Sequence, residues 1–453
     1  MDINNYIGCK CRLFVRVLLL TVLLFRATKG SAQAYNGNTF KLTLEEAVRF
    51  AKGQNKLVQA ATIEESAAGE DLKDAYNAAL PTITANGSYQ RFSRLTLFTD
   101  GLSHSATGPR KPTPNGAALG VDALFNIYSG GKQRALQSEQ QSRLHLARLN
   151  AKDQSGSIAL QTAQQYLELV RLTDLQQLIA DQLNRAQTRV NNINALYNNQ
   201  KVTKSDVLRA EVVLSNVELS LQENENNLTI TNQKLDDLLN IPDTVRISPV
   251  DSAGMAKPAI SSLQSFIEAA GVTSYAIQKT TESIELQRAR LKGIKSGNLP
   301  TISFYTAYGL NYPNYLFFPP VDQAYAIGFV GLKAQYSISS LYHNKRKVEA
   351  ARLRIKEGEV QQQAVADNVR TEAHSLYIKY VEALTRIQVN ERSVEQAQVN
   401  YKIVNTKYLN QLSLLTDLLD ADNLYQESRF NLIRAQTNAL SIYYNILYVS
   451  GNL

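Results

Sequence analysis

The chain contains no tryptophan, and its only cysteines, Cys9 and Cys11, both lie near the N-terminus. The remainder can form no disulfide, which is compatible with an oxidising compartment and needs none. Methionine occurs only at positions 1 and 255, so a methionine ladder for a soft metal is absent. His104, His145, His343 and His374 are scattered without metal-ligand spacing. Gly130-Gly131-Lys132 has neither the spacing nor the following Ser/Thr of a phosphate loop. Neither catalysis nor a cofactor is expected. No uncharged apolar run is long enough to span a bilayer as a helix, so any spanning structure must be a β-barrel.

Charge excludes less than it first suggests. The formal net charge is +8, but Lys10, Arg12, Arg16, Arg26 and Lys29 stand against Asp2 alone in residues 1–34. The basic balance is therefore partly a property of this first segment, and no nucleic-acid partner is expected. Its basic residues precede the apolar run Val17 to Phe25, and Ala32-Gln33-Ala34 supplies small residues at −3 and −1. Residues 1–34 read as a signal peptide cleaved after Ala34, with a retained N-terminal anchor as the alternative. Both cysteines precede the apolar core, so neither is the modified cysteine of a lipoprotein.

What is present is repetition. Leu80-Pro81-Thr82-Ile83 returns as Leu299-Pro300-Thr301-Ile302, 219 residues later. Each copy follows a polar, helix-like run, the first starting at Thr43 with Glu46 at capping-box spacing and continuing towards Leu80. Each proline then pushes the preceding leucine towards extended geometry. Beyond Pro81, Ile83, Ala85, Gly87 and Tyr89 alternate with Thr82, Thr84, Asn86 and Ser88. After a Gly/Pro/Ser/Thr-rich loop at 100–116, Ala117, Leu119, Val121, Ala123, Phe125 and Ile127 alternate with Gly120, Asp122 and Asn126. These segments predict strands at about 81–92 and 116–128. Alternation alone does not separate a soluble sheet from a membrane sheet, although the lengths suit tilted transmembrane strands.

Between Asn115 and Ile241 there is no proline, which predicts long helices over about 132–240, interrupted near Asn198 to Lys201. The first would be about 100 Å long and needs neighbours. Val207, Ala210, Leu214, Val217, Leu221, Asn224, Leu228, Thr231, Leu235 and Leu238 follow a 3-4 spacing, the seam of helix-on-helix packing. Residues 35–241 form a first repeat, and 242–262, with Pro242, Pro249 and Pro258, a linker. The second repeat, 263–453, begins with a helix and carries strands at about 300–311 and 324–339, the latter with Gly328, Val330, Leu332, Ala334, Tyr336 and Ile338 on one face. Long helices follow at about 344–450. There the offset becomes 211, as Tyr166 and Tyr377, Tyr197 and Tyr408, Asp206 and Asp417 show. The seam recurs from Leu418 through Ala421 and Tyr425 to Val449. Tyr312, Tyr315, Phe317, Phe318 and Tyr325 cluster at the end of the strands, as loop packing or as an interfacial aromatic girdle. Four strands cannot close a barrel in lipid, so several chains must share one.

The duplicated helix–strand–loop–strand–helix unit, the two Leu-Pro-Thr-Ile entries, Phe125-Asn126-Ile127-Tyr128-Ser129-Gly130-Gly131 and the turn from Tyr197 to Asp206 echoed from Tyr408 to Asp417 resemble the TolC-like outer membrane efflux protein family. The resemblance covers the whole mature chain. It implies a mixed α and β membrane protein, a homotrimer whose twelve-stranded barrel crosses the outer membrane and whose long α-helical barrel extends through the periplasm. It implies as partners a periplasmic adaptor protein, an inner-membrane transporter of RND, ABC or MFS type, and outer membrane lipid. The implied function is the exit duct of a tripartite efflux pump for drugs and other toxic small molecules. The outer component of type I protein secretion is the alternative within that class. A periplasmic coiled-coil structural protein without a pore is the alternative outside it, with no use for four half-apolar strands.

By the same resemblance, Asp417 and Asp420 match paired acidic positions that ring the pore, Ser205 and Asp206 a polar pair at the closed end, and Tyr408 a tyrosine bonded to that aspartate. Ser413 stands where well-studied members carry an arginine that ties neighbouring turns together, so a salt-bridged lock at that position is not expected. The turns containing Asn198, Asn199, Gln200, Lys201, Asn410, Gln411 and Leu412 are the implied adaptor-docking surface. Read locally, Asp206 and Asp417 could equally sit at helix N-termini for their favourable dipoles, Asp420 on a solvated face, and the turns as ordinary exposed polar turns.

Overall fold

The structure, a computed structural model, describes residues 39–93, 114–254, 257, 263–314, 316 and 321–453. The expected signal peptide, most of the loop at 100–116, and Tyr315, Phe317 and Phe318 lie outside the described residues. Strand β1 (Thr39–Leu42) leads into helices α1 (Leu44–Gln54) and α2 (Lys56–Asn77) and strands β2 (Thr82–Arg91) and β3 (Asn115–Tyr128). Helices α3 (Lys132–Asn198) and α4 (Lys204–Leu239) and strand β4 (Arg246–Pro249) follow. The order then recurs as α5 (Leu263–Thr273), α6 (Tyr275–Ser296), β5 (Thr301–Tyr312), β6 (Tyr325–Gln335), α7 (Ser340–Leu409) and α8 (Leu415–Val449). Helices α3 and α7 have 67 and 70 residues, each about 100 Å at 1.5 Å per residue.

Three features depart from the sequence reading. The helix expected from Thr43 towards Leu80 is two helices. The Thr43–Glu46 capping box starts the first, with Thr43 N donating to Glu46 Oε2 at 2.9 Å and Glu46 N donating to Thr43 Oγ1 at 3.3 Å. Asn55 ends it and caps the second by accepting from Leu57 N at 2.9 Å, while its Nδ2 donates to the Leu238 carbonyl at 2.9 Å. That tertiary bond selects this asparagine as the break. Second, the residues expected only to link the repeats contain β4, which pairs in parallel with β1 from Thr39↔Arg246 to Leu42↔Pro249. Third, β6 stops at Gln335 and α7 begins at Ser340, so Tyr336 and Ile338 lie beyond the strand.

The main sheet has the order β2-β3-β5-β6, every neighbour antiparallel. Its centre is the β3–β5 pairing, where the two repeats meet. The register sorts side chains cleanly, because successive residues point to opposite faces. One face carries Ile83, Tyr89, Leu119, Val121, Phe125, Phe304, Tyr308, Leu310, Val330 and Leu332. These are exposed, Val330 at 72% and Ile83 at 69%. The other face carries Thr84, Asn86, Asp122, Asn126, Ser303 and Lys333 together with Leu124, Tyr305, Ile327 and Phe329. There Thr84 Oγ1 and Asn86 Nδ2 both donate to Asp122 Oδ2, at 2.8 and 2.9 Å, and Ser303 Oγ donates to Asn126 Oδ1 at 2.7 Å.

The helical seams are buried. Along α4, Val207, Ala210, Val217, Asn224, Leu228, Thr231 and Leu235 are buried, and Leu214, Leu221 and Leu238 partly so. Asn224, a polar interruption of the seam, donates from Nδ2 to the Leu172 carbonyl at 3.1 Å. The largest apolar cluster gathers β1, β4, α1, α3 and α4 around Tyr166. The Tyr166 hydroxyl donates to the Leu42 carbonyl at 2.7 Å and to Asp251 at 3.0 Å. The two repeats are tied through Asp153 on α3, which accepts from Lys279 Nζ at 2.5 Å and from the Tyr448 hydroxyl at 2.9 Å. Beside that tie Gly156 lets the helices approach. A Cβ there would stand 3.1 Å from Tyr275, 3.3 Å from Tyr448 and 3.4 Å from the Leu453 carbonyl. At Gly69, on α2, a Cβ would meet nothing within 4 Å. Gly69→Ala should therefore stabilise the chain by about 0.5–1 kcal/mol, whereas Gly156→Val should destabilise it by about 1–3 kcal/mol through overpacking. Denaturation midpoints of the two variants check the contrast, and equal effects would refute it.

Candidate functional site

At one end of the long helices, α3 turns into α4 and α7 into α8, and the two turns share one backbone. Gln200 and Gln411 adopt left-handed φ of 59° and 58°. Lys201 N reaches back to the Leu196 carbonyl at 2.9 Å and Leu412 N to the Lys407 carbonyl at 2.8 Å, closing both helix ends alike. Asn199 Nδ2 and Asn410 Nδ2 donate to carbonyls one turn back, at 2.7 and 2.8 Å. The side chains differ. Asn198, Asn199, Gln200 and Lys201 make an exposed polar tip. The second tip, with Asn410 and Gln411, also exposes Leu409, Leu412 and Leu414, at 65%, 75% and 70%.

Helix starts account for two of the singled-out carboxylates. Asp206 is the third residue of α4, and its Oδ2 accepts from Thr203 N at 3.0 Å and Thr203 Oγ1 at 2.7 Å. Asp417 is the third residue of α8, and its Oδ2 accepts from Leu414 N at 3.1 Å and Ser413 Oγ at 2.9 Å. Both therefore serve as caps in favourable dipole positions. Ser413, where an arginine tie is missing, supports the Asp417 cap instead. Ser205 and Asp420 are exposed. Asp420, a turn into α8, has no cap to serve.

The hydrogen bond implied between Tyr408 and Asp206 is not made. The Tyr408 hydroxyl is buried without a hydrogen-bond partner, and the Asp206 carboxylate is taken by Thr203. Burial, then the nearby negative charge of Asp206, raise the Tyr408 pKa. Tyr408 packs instead against the cluster of Val190, Ile193, Val207, Ala210, Leu415 and Leu419, which binds α3, α4 and α8 together at the tip.

Next to this cluster lies a polar joint that the sequence reading missed. Arg189 Nη2 donates to Asp422 Oδ2 at 2.6 Å, both side chains buried, and Arg185 Nε donates to Asp422 Oδ1 at 3.3 Å. The pair links α3 of the first repeat to α8 of the second. Tyr401 stacks on Tyr425 at 5.8 Å, and Arg429 lies 5.4 Å over the Tyr425 ring. Burial, then the Asp422 charge, push the Tyr401 pKa up. Gln426, 2% exposed, has neither amide atom hydrogen-bonded, and Arg185 Nη2 is buried and unpaired. The available signal was Arg185 and Arg189 at i, i+4 spacing and Asp422 bordering the seam at Ala421.

Among the described residues no group of three or more His, Cys, Asp or Glu could hold a metal ion, and no helix is long and apolar enough to cross a membrane. Residues 48–240 match the outer membrane efflux protein family model. The sequence matches no curated protein. In fold, the chain is similar to the outer membrane protein VceC of Vibrio cholerae, with 17% identity, a TM-score of 0.74 and coverage of 90% of this chain and 96% of that one. It is similar to the CmeC outer membrane channel of Campylobacter jejuni, with 17% identity, a TM-score of 0.70 and coverage of 90% and 85%. It is also similar to the open state of the MtrE outer membrane channel of Neisseria gonorrhoeae, with 15% identity, a TM-score of 0.72 and coverage of 90% and 88%. The resemblance to TolC-like outer membrane efflux proteins is borne out by the family match over the first repeat and the shared fold over nine tenths of the chain. Proteins of this family are channels, not enzymes.

The joint and the caps should respond differently to truncation. Asp422→Ala leaves Arg189 buried and unpaired and should cost about 3–5 kcal/mol, against about 0.5–2 kcal/mol for the exposed cap in Asp206→Ala. Arg189→Met combined with Asp422→Leu should recover most of the loss. Denaturant titration of the four proteins checks this, and an Asp422→Ala effect no larger than the cap's would refute it.

Proposed function

We propose that this chain is the outer-membrane exit duct of a tripartite efflux system, a homotrimer. It would pass toxic small molecules received from an inner-membrane transporter of RND, ABC or MFS type through a periplasmic adaptor. The observation that carries this reading is the four-stranded sheet, with one continuous apolar face and unpaired edges at β2 and β6. Lipid leaves no partner for open edge groups. Pairing β6 of one copy with β2 of the next removes every edge, and three copies make twelve strands.

The helices support the same ring. On α4, Leu208, Val212, Leu219 and Ile230 are exposed, and their spacing places them in one narrow stripe. On α7, Leu353, Val360, Ile378, Val389 and Ile403 are exposed and also fall on one stripe. A neighbouring copy would cover both. The apolar face of the sheet would meet outer membrane lipid, and the polar face with Asp122 and Lys333 would line the lumen.

The two helical tips form the periplasmic entrance in this reading. Asp420 and Asp417, repeated around the axis, favour cations there. The Arg185–Arg189–Asp422 joint positions the start of α8, and thus these carboxylates. The turns at Asn198 to Lys201 and Asn410 to Leu412 dock the adaptor, and Leu409, Leu412 and Leu414 give the second an apolar contact.

Cell fractionation tests the duct: the mature chain should require detergent for extraction and migrate as a trimer. Recovery as a soluble periplasmic monomer would overturn it. In planar bilayers Asp420→Asn should reduce cation selectivity, and Asp417→Ala with Asp420→Ala should reduce it further. Unchanged selectivity in the double variant would return both residues to a purely structural role.

A further inference from the structure

Asp236 stands apart from every group assigned above. It lies in the last turn of α4, is 0% exposed, and has one carboxylate oxygen, Oδ1, buried without a hydrogen-bond partner among the described residues. Its other oxygen accepts from Asn232 Nδ2 at 3.0 Å. The same Asn232 holds the chain entering β4: Nδ2 also donates to the Val245 carbonyl at 3.0 Å, and Oδ1 accepts from Ile247 N at 2.8 Å. One asparagine thus connects a buried acid to the strand that pairs with β1.

The surroundings disfavour a charge on this acid. The C-terminal end of a helix is the negative end of its dipole. Asp237 on the same helix and Asp243 on the following loop add negative charge, and Asp243 lies closely enough to act on Asp236. Facing elements offer no counter-charge. Residues 154–167 of α3 contain no ionisable side chain except Tyr166, whose hydroxyl is committed to Leu42 and Asp251. Lys52 on α1, Lys41 on β1, Arg246 on β4 and Lys234 on α4 are not among the groups that act on Asp236, which among the described residues are Asp243, Asn232 and Asp237. A groove of about 380 Å³ is lined by Asn232 and by Asp243, Val245 and Ile247.

We propose that Asp236 is a proton-operated latch on the β1–β4 sheet. Neutral, it packs under the last turn of α4 and leaves Asn232 on β4; ionised, it is drawn towards the groove and loosens that clamp. Burial first, and then Asp243, raise its pKa from the ordinary 3.8 to about 7. The direction of the effect follows. Below about 4 the closed and open forms are both neutral and the clamp is at full strength. Between about 4 and about 7 the closed form keeps a proton that the open form loses, so the opening constant rises about tenfold per pH unit. Above about 7 it levels off.

Amide hydrogen exchange at Ile247 in the full-length protein, corrected for intrinsic rates, reads this opening. In the native chain protection should fall about 50-fold from pH 5 to pH 7. Asp236→Asn should stay at the low-pH level of protection throughout, and Asn232→Ala should be unprotected throughout. Asp243→Asn, which removes a neighbouring charge without touching the clamp, should end the fall at a lower pH and make it smaller. A pH-independent native profile overturns the proposal. So does an Asp236→Asn profile that keeps the native slope, or an Asp243→Asn profile superimposed on the native one. The latch does not depend on the export reading, since the measurement reports on β1 and β4 alone.

Discussion

A strand edge leaves backbone amides and carbonyls without hydrogen-bond partners, and the assembly of the sheet turns on that constraint. Each repeat supplies two strands, and the repeats join at β3 and β5. The joining leaves β2 and β6 as edges, on a sheet whose outward face runs Ile83, Leu119, Val121, Phe304, Leu310 and Leu332. Duplication therefore doubles the sheet without closing it. The exposed stripes on α4 and α7 express the same incompleteness in the helices. A single copy has open strand edges on its sheet and apolar stripes on its long helices.

Within one copy the chemistry changes along the helices. Around β1, β4 and Tyr166 the packing is apolar, and Asp251 is tied down there by accepting from both Leu44 N and Tyr166, whereas Asp236 keeps an orphaned oxygen. At the tips the contact between repeats depends on a buried ion pair, Arg189 with Asp422, surrounded by orphaned atoms of Arg185, Gln426 and Tyr408. Apolar side chains of similar volume would hold such a joint nearly as firmly. A charged joint instead specifies one arrangement, and it lies beside the carboxylates proposed to control entry.

The features readable from sequence were periodic or repeated. The Leu-Pro-Thr-Ile pair, the alternation after each proline and the 3-4 seam from Val207 to Leu238 record the faces that must be buried or paired. Those faces are local properties of strands and helices. The Thr43–Glu46 cap was readable for the same reason. The break at Asn55 was not, because one asparagine resembles another until the Leu238 carbonyl comes beside it. Strand β4 was hidden because four residues ending in a proline carry no periodicity, and its partner β1 is 207 residues away at Thr39↔Arg246.

The site divides along the same line. Sequence alone determined that two matching turns end the long helices, that Asp206 and Asp417 stand at equivalent helix starts, and that four strands cannot close a barrel by themselves. Only the tertiary structure decided what those carboxylates do locally: both cap, and neither receives the Tyr408 hydroxyl. Only it brought Arg185 and Arg189 to Asp422, and left Asp236 in the core without a counter-charge. The reason is physical. Capping and periodicity act over three or four residues and are written in spacing. Ion pairing and burial depend on which helices meet, and that is settled by packing across more than 200 residues of chain, as between Arg189 and Asp422.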